Sequence, residues 1–205
     1  MASNLYLTVA EFKNRIDAVS VTWSDAESTA AERIIEAVSR NIDRHCGRFF
    51  YTTATGTVKY YQADDGAYVC VDDLVSIDTS GLTTDEDGDR TYETTWAATD
   101  YDLTPYNAAA VGDPYTELCT TPAGRYSFPT IAKGVKITGS WGWPTTPPEV
   151  VEACFLEAAR TWQHAHSPSG VSASSELGSW IVEPMLHPKT QAMLRHLRKN
   201  LVAFV

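Results

Sequence analysis

Long apolar runs are missing from this chain, and none approaches the roughly 18–20 residues that a membrane-spanning helix requires. Met1-Ala2-Ser3-Asn4 offers neither the basic nor the apolar region of a secretory signal, so none is expected. Cysteine is scarce. Cys46, Cys70, Cys119 and Cys154 are scattered, with no Cys-x-x-Cys spacing, so the sequence predicts neither a zinc site nor a disulfide framework but reduced thiols. Basic side chains are thin in the middle of the chain. Residues 51–148 carry 5 basic against 14 acidic side chains, and so hold −9 of the net charge of −10. Residues 1–50 are nearly balanced at 6 to 7, and residues 149–205 are balanced at 5 to 5. A middle segment of that sign repels phosphate, which speaks against direct DNA binding by it.

The chemistry of known catalytic motifs is also lacking. There is no Gly-rich phosphate loop, and Gly139-Ser140-Trp141-Gly142 places its serine one position early for a Gly-x-Ser-x-Gly elbow. His164-x-His166 has neither helical i,i+4 spacing nor an acidic or cysteine neighbour, and reads as a solvent-facing pair at a helix end. The many carboxylates form no pair with the contrast of environment that acid–base catalysis needs. These absences predict a protein that is not an enzyme, with no catalytic residue, no metal and no cofactor.

What is present is a strong helical frame. Over 205 residues, 43% of them hydrophobic, the clearest element is Ser24 to Gly47. Ser24-Asp25-Ala26-Glu27 is a capping box. Ala31, Ile34, Ile35, Val38, Ile42 and Cys46 then recur on one face, opposite Arg33, Glu36, Arg40, Asp43 and Arg44, with Glu36→Arg40 as an i,i+4 pair. Gly47 suits a left-handed cap. Upstream, Thr8 and Glu11 form a second box, with Leu7 set to staple onto Phe12 and a helix running to about Val19.

From Phe49 to Trp143 the period becomes strand-like. Short runs at 57–61, 68–71, 74–77, 91–96, 101–103, 115–118 and 134–139 are separated by turn compositions, Asp64-Asp65-Gly66 and Asp72-Asp73 among them. Asn107 to Pro114 reads as a surface loop. With no helix between strands, an antiparallel sheet is expected. Asp85-Glu86-Asp87-Gly88-Asp89 resembles a calcium loop, but the sixth position is Arg90 and the twelfth is Trp96, so a hairpin turn at Asp87-Gly88 is preferred. Trp96, Trp141 and Trp143 are read as core rather than as a sugar-stacking platform.

Pro147-Pro148-Glu149 restarts helix, with Val151, Cys154, Phe155, Ala158 and Trp162 as its buried stripe. Leu156 stands alone on the polar face near Arg160, and these two are the candidate subunit interface. A last helix from Pro188 carries Leu194, Leu197, Leu201 and Val205 on one stripe, and the apolar strip continues to Phe204. The fold class is therefore α+β: a small helical bundle of N-terminal (1–50) and C-terminal (147–205) helices holding a large antiparallel β insertion (51–146).

The order of these features resembles the head–tail connector (adaptor) proteins of long-tailed bacteriophages. The features are the capped helices, Asp43-Arg44-His45-Cys46-Gly47-Arg48-Phe49-Phe50, the acidic β insertion, and the strand 134–139 leading to Trp141-Gly142-Trp143. Pro147-Pro148-Glu149-Val150 and the Ser167-Pro168-Ser169-Gly170 loop before a terminal helix complete the order. The resemblance implies a structural virion protein, made in the bacterial host cytoplasm, that forms a ring beneath the portal (a dodecamer in the family). Such a ring extends the DNA channel without binding DNA specifically and docks the next neck or tail component. It also implies that the terminal helix engages the portal, which assigns Leu194, Leu197, Arg198, Leu201, Phe204 and Val205 to portal binding. The alternative is a carbohydrate- or protein-binding β module on a helical base.

Overall fold

The computed structural model describes residues 4–16, 22–122, 124–166 and 186–199. The chain divides into a helical unit, Met1–Phe50 with Thr146–Val205, and a β unit, Tyr51–Thr145.

In the helical unit, α1 (Val9–Ile16) and α2 (Asp25–Cys46) both begin at capping boxes. The Thr8 amide donates to Glu11 Oε2 at 3.0 Å while the Glu11 amide donates to Thr8 Oγ1 at 3.2 Å. Ser24 and Glu27 make the same reciprocal pair, and α2 ends at Gly47, which takes the left-handed conformation at φ 67. α2 buries Ala31, Ile35, Val38, Ile42 and Cys46 as its periodicity requires. It also buries Ser39, whose hydroxyl is satisfied by the Ile35 carbonyl at 2.8 Å. The Arg40 guanidinium pairs with Asp43 at 3.1 Å and donates to the Asn4 carbonyl at 2.7 Å.

α4 (Pro148–His166) packs on α2. Its fully buried positions are Val150, Ala153, Cys154, Glu157, Ala158 and Trp162, whereas Val151 and Phe155 are only half-buried. The expected stripe is displaced toward Glu157 because α5 (Pro188–Leu194) packs on α4 as well, which widens the arc that must be covered. Aromatic rings close the bundle: Trp23 stacks on Trp162 with centroids 4.7 Å apart, and the Phe12 edge meets Trp162 at 6.0 Å.

The β unit is an antiparallel sheet of β1 (Thr57–Tyr61), β2 (Tyr68–Thr84), β3 (Thr94–Thr95), β4 (Tyr101–Thr104), β5 (Tyr115–Thr120) and β6 (Val135–Trp141). The strand order is β1-β6-β2-β5-β4, with β3 paired to β2 beside this path. A single strand, β2, organises it: its first half pairs with β5 and its second half with β6. Asp72-Asp73, read as a turn, lies within this continuous strand at a register shift between Cys70 and Leu74. Side-chain partners stabilise that irregularity, since Lys59 Nζ meets Asp72 Oδ2 at 2.8 Å and the Tyr61 hydroxyl accepts from the Asp72 amide at 3.3 Å. A second shift falls between Ile77 and Leu82. There β2 and β6 approach so closely that a Cβ on Gly139 would stand 2.1 Å from the Ser76 carbonyl oxygen, which only glycine allows.

Two further expectations are corrected. Residues 107–114 are not wholly loop, because α3 (Ala108–Val111) forms one turn closed by left-handed Gly112. The run at 91–96 contributes only the two residues of β3 to the sheet. The tryptophans are core: Trp96, Trp141 and Trp143 are buried, Trp96 stacks on Phe128 at 4.5 Å, and Trp141 Nε1 donates to the Thr57 carbonyl at 2.9 Å.

Candidate functional site

The candidate attachment residues begin on α5. His187 caps this helix, its ring Nδ1 accepting from the Lys189 amide at 3.2 Å, and Pro188 fills the first turn. The sequence assigns Leu194 and Leu197 to an exposed strip, but both are buried in the helical unit, Leu194 completely. The physical reason is the path of the chain. The helix ends after Leu194 and tightens into a 3-10 turn over Arg195–Leu197, and the Lys199 amide then donates to the Cys46 carbonyl at 2.8 Å. The segment is thereby tied to the end of α2, and its stripe faces inward. Arg198 is exposed. Leu201, Phe204 and Val205 lie outside the described residues, as does the Ser167-Pro168-Ser169-Gly170 loop.

The candidate interface residues sit on α4 and are not equivalent. Leu156 is half-buried in the single chain. Arg160 is engaged within its own helix, its guanidinium 2.8 Å from Glu157. Glu157 is almost completely buried and also accepts the His187 amide at 2.8 Å. One carboxylate therefore joins α4 to the start of α5. Sequence reading missed it, since a glutamate between Leu156 and Ala158 carries no periodic signal of burial.

A second missed group surrounds Tyr6. Its hydroxyl donates to Asp43 Oδ1 and accepts the Phe50 amide at 2.8 Å, which fixes the chain on both sides of α2. Burial raises the Asp43 carboxyl above its ordinary value, although the Tyr6 hydroxyl and the Arg40 guanidinium oppose the shift. Burial likewise pushes the Cys46 and Cys154 thiols up to about 11, which keeps both protonated near neutral pH.

In the β unit the acidic run forms residues 85–93, the connection from β2 to β3, so the hairpin is present but its loop is longer than a two-residue turn. Its carboxylates serve the backbone. Asp85 accepts the Gly88 amide at 2.7 Å and the Arg90 amide at 2.9 Å, Asp87 accepts the Asp89 amide at 3.1 Å, and Asp89 accepts the Thr91 amide at 2.6 Å. Burial pushes the Asp85 carboxyl up, but the two amides and the Arg90 guanidinium outweigh it and hold the group below its ordinary value. Asp85, Asp87 and Asp89 do bring one oxygen each within 4.8 Å of the others. The rest of a calcium loop does not fit: Arg90 donates to the Ala132 carbonyl, and Trp96 is buried with its Nε1 on Thr84 Oγ1 at 2.9 Å.

Tyr60 lies on β1 and Tyr106 follows β4, and these strands are at opposite ends of the sheet order. Among the described residues no helix is long and apolar enough to cross a membrane.

No family model matches the sequence, and no curated protein matches it. A solved structure does match the fold. A chain in a structure described as the neck of an empty GTA (gene transfer agent) particle, computed with C6 symmetry, aligns at a TM-score of 0.54 and 18% identity. The alignment covers 96% of this chain and 91% of that one, so the likeness of fold extends along nearly the whole length.

Proposed function

We propose that this protein is a structural neck component of a phage-like particle, a head–tail connector that forms a ring beneath the portal. The ring continues the DNA channel and offers a docking face to the next neck component. One observation carries the reading: the full-length likeness, at 96% coverage, to a chain from a particle neck. It is supported by the order of elements, with two capped N-terminal helices and a C-terminal helix pair enclosing an acidic β insertion. The charge of −9 on residues 51–148 suits a conduit that must release DNA rather than hold it.

Attachment to the portal is assigned to the chain end, Leu201, Phe204 and Val205, with Leu194 and Leu197 anchoring the segment from inside the helical unit. Contacts of this size are weak singly, and repetition around a ring makes them firm through effective concentration. Electron microscopy of the full chain mixed with its portal is expected to show axial ring density against the portal. A variant lacking Leu201 to Val205 is expected to keep its melting temperature and lose co-purification with the portal. The assignment fails if the truncated chain co-purifies as well as wild type, or if its melting temperature falls by many degrees.

A further inference from the structure

The sheet of the β unit has two open edges. Among the described residues β1 pairs with β6 alone and β4 with β5 alone. An open edge presents unpaired amides and carbonyls, and proteins commonly guard it with proline, a bulge or a charge. β1 has none of these on its exposed side. It contains no proline and pairs with β6 without a register shift. Its one charge, Lys59, is already held by Asp72 at 2.8 Å, so covering the edge strands no cation. The exposed side chains are instead Val58, at 40%, and Tyr60, at 47%. The Tyr60 ring meets that of Tyr92 at 5.9 Å, with Lys133 Nζ 5.8 Å from the Tyr60 centroid and Lys136 Nζ 5.3 Å from that of Tyr92.

Charge is sorted across the strand order. Residues 51–63 and 125–145, which hold β1 and β6, carry Lys59, Arg125, Lys133 and Lys136 and no acidic side chain. Residues 100–120, which hold β4 and β5, carry Asp100, Asp102, Asp113 and Glu117 and no basic one. The other ten of the 14 carboxylates lie between Asp64 and Glu93, on β2 and its connections. The two edges of one sheet therefore have flanks of opposite sign. Direction is fixed as well. Each step along β1-β6-β2-β5-β4 is antiparallel, so after four steps β4 runs the same way as β1. The edges are also staggered: β6 beside β1 pairs with the later half of β2, and β5 beside β4 pairs with the earlier half. Stagger of this kind is what joining a sheet into a closed circuit requires.

We propose that β1 of one copy pairs edge to edge with β4 of the next, so that the basic β1–β6 flank meets its neighbour's acidic β4–β5 flank. Two different edges meeting make a heterologous contact, and such contacts build a ring when the rotation closes. In a ring of many copies each turns only modestly from the last, so β1 and β4 meet in parallel. A two-fold dimer through β1 would instead be antiparallel, and would set like flanks against each other. The opposite charges fix which edges meet, and the backbone pairing supplies the contact. This contact presupposes the ring proposed above and adds to it which surfaces meet.

Hydrogen exchange read by mass spectrometry tests this on the full-length chain, comparing rings assembled on the portal with single copies at low concentration. Peptides spanning 57–61 and 101–104 are expected to slow together on assembly, by about tenfold or more at the amides facing away from β6 and β5. In a mixture of unlabelled and nitrogen-15-labelled chains, a zero-length carbodiimide is expected to join Lys133 or Lys136 to a carboxylate within residues 100–117 of another copy. The double variant Val58→Asp, Tyr60→Asp sets acid against acid at exposed positions, and should lower ring occupancy by about tenfold. A melting curve checks that it folds; if it does not, the wild-type exchange decides. Rings in electron micrographs whose two edges exchange as fast as in single copies overturn the contact and leave the ring reading standing. Protection of 57–61 without 101–104 overturns it in favour of a different strand on β1. Absence of any ring on the portal overturns both.

Discussion

Glu157 holds two groups at once inside the helical unit, the Arg160 guanidinium on its own helix and the His187 amide at the start of α5, each at 2.8 Å. Both contacts are made where solvent is scarce, the Glu157 side chain being 3% exposed and that of Arg160 25%. Removing one member of such a pair leaves the other to bear its desolvation, which costs more than the pair itself contributes. We predict that Glu157→Ala lowers unfolding free energy by about 2–4 kcal/mol, since it strands both an N–H and a partly covered cation. Glu157→Gln keeps an acceptor oxygen for the His187 amide and should cost about half as much. Denaturant titration of both variants checks this, and equal losses would show that charge, not the amide bond, dominates.

At the scale of elements, the connection between β2 and β3 shows how an acidic run becomes a structured loop. Its aspartates accept amides along the loop, Asp85 taking two, so the turn is held by side chains rather than by strand pairing. The Asp85 carboxyl is held below its ordinary value of 3.8, because the Gly88 and Arg90 amides outweigh the burial that opposes them. A folded-state pKa below the unfolded one means a contribution fully present above the unfolded value and lost as pH falls through the folded one. We predict that the Gly88 and Arg90 amide proton resonances titrate together with a midpoint below 3.8, and that Asp85→Asn removes the transition. A midpoint at or above 3.8 in the wild-type protein would contradict the bonding described here.

At the scale of the whole molecule, the ring proposed above needs contacts on two sides of each copy, and α4 is the candidate for one of them. Leu156 is half-buried in the single chain, on the helix whose Arg160 is already committed to Glu157. We predict that Leu156→Glu leaves the isolated chain folded and reduces ring assembly on the portal, because it removes an apolar contact worth on the order of 1.5–3 kcal/mol and adds a charge to be desolvated. Native mass spectrometry of portal-bound assemblies reads the outcome, and unchanged ring occupancy would remove Leu156 from the interface.

The sequence by itself determined the parts that depend on near neighbours. The capping boxes at Thr8 and Ser24, the left-handed stop at Gly47, the buried face of α2 and the α+β division all follow from spacing and from local backbone chemistry. Tertiary structure alone decided what depends on distant partners. Asp72-Asp73 has the composition of a turn, yet Lys59 and Tyr61 hold it inside a continuous strand. Leu194 and Leu197 have the pattern of an exposed strip, yet the 3-10 turn and the Lys199–Cys46 bond carry them into the core. The physical reason is common to both. Periodicity reports which faces of an element are apolar, whereas the partner that covers a face is fixed by where the chain returns.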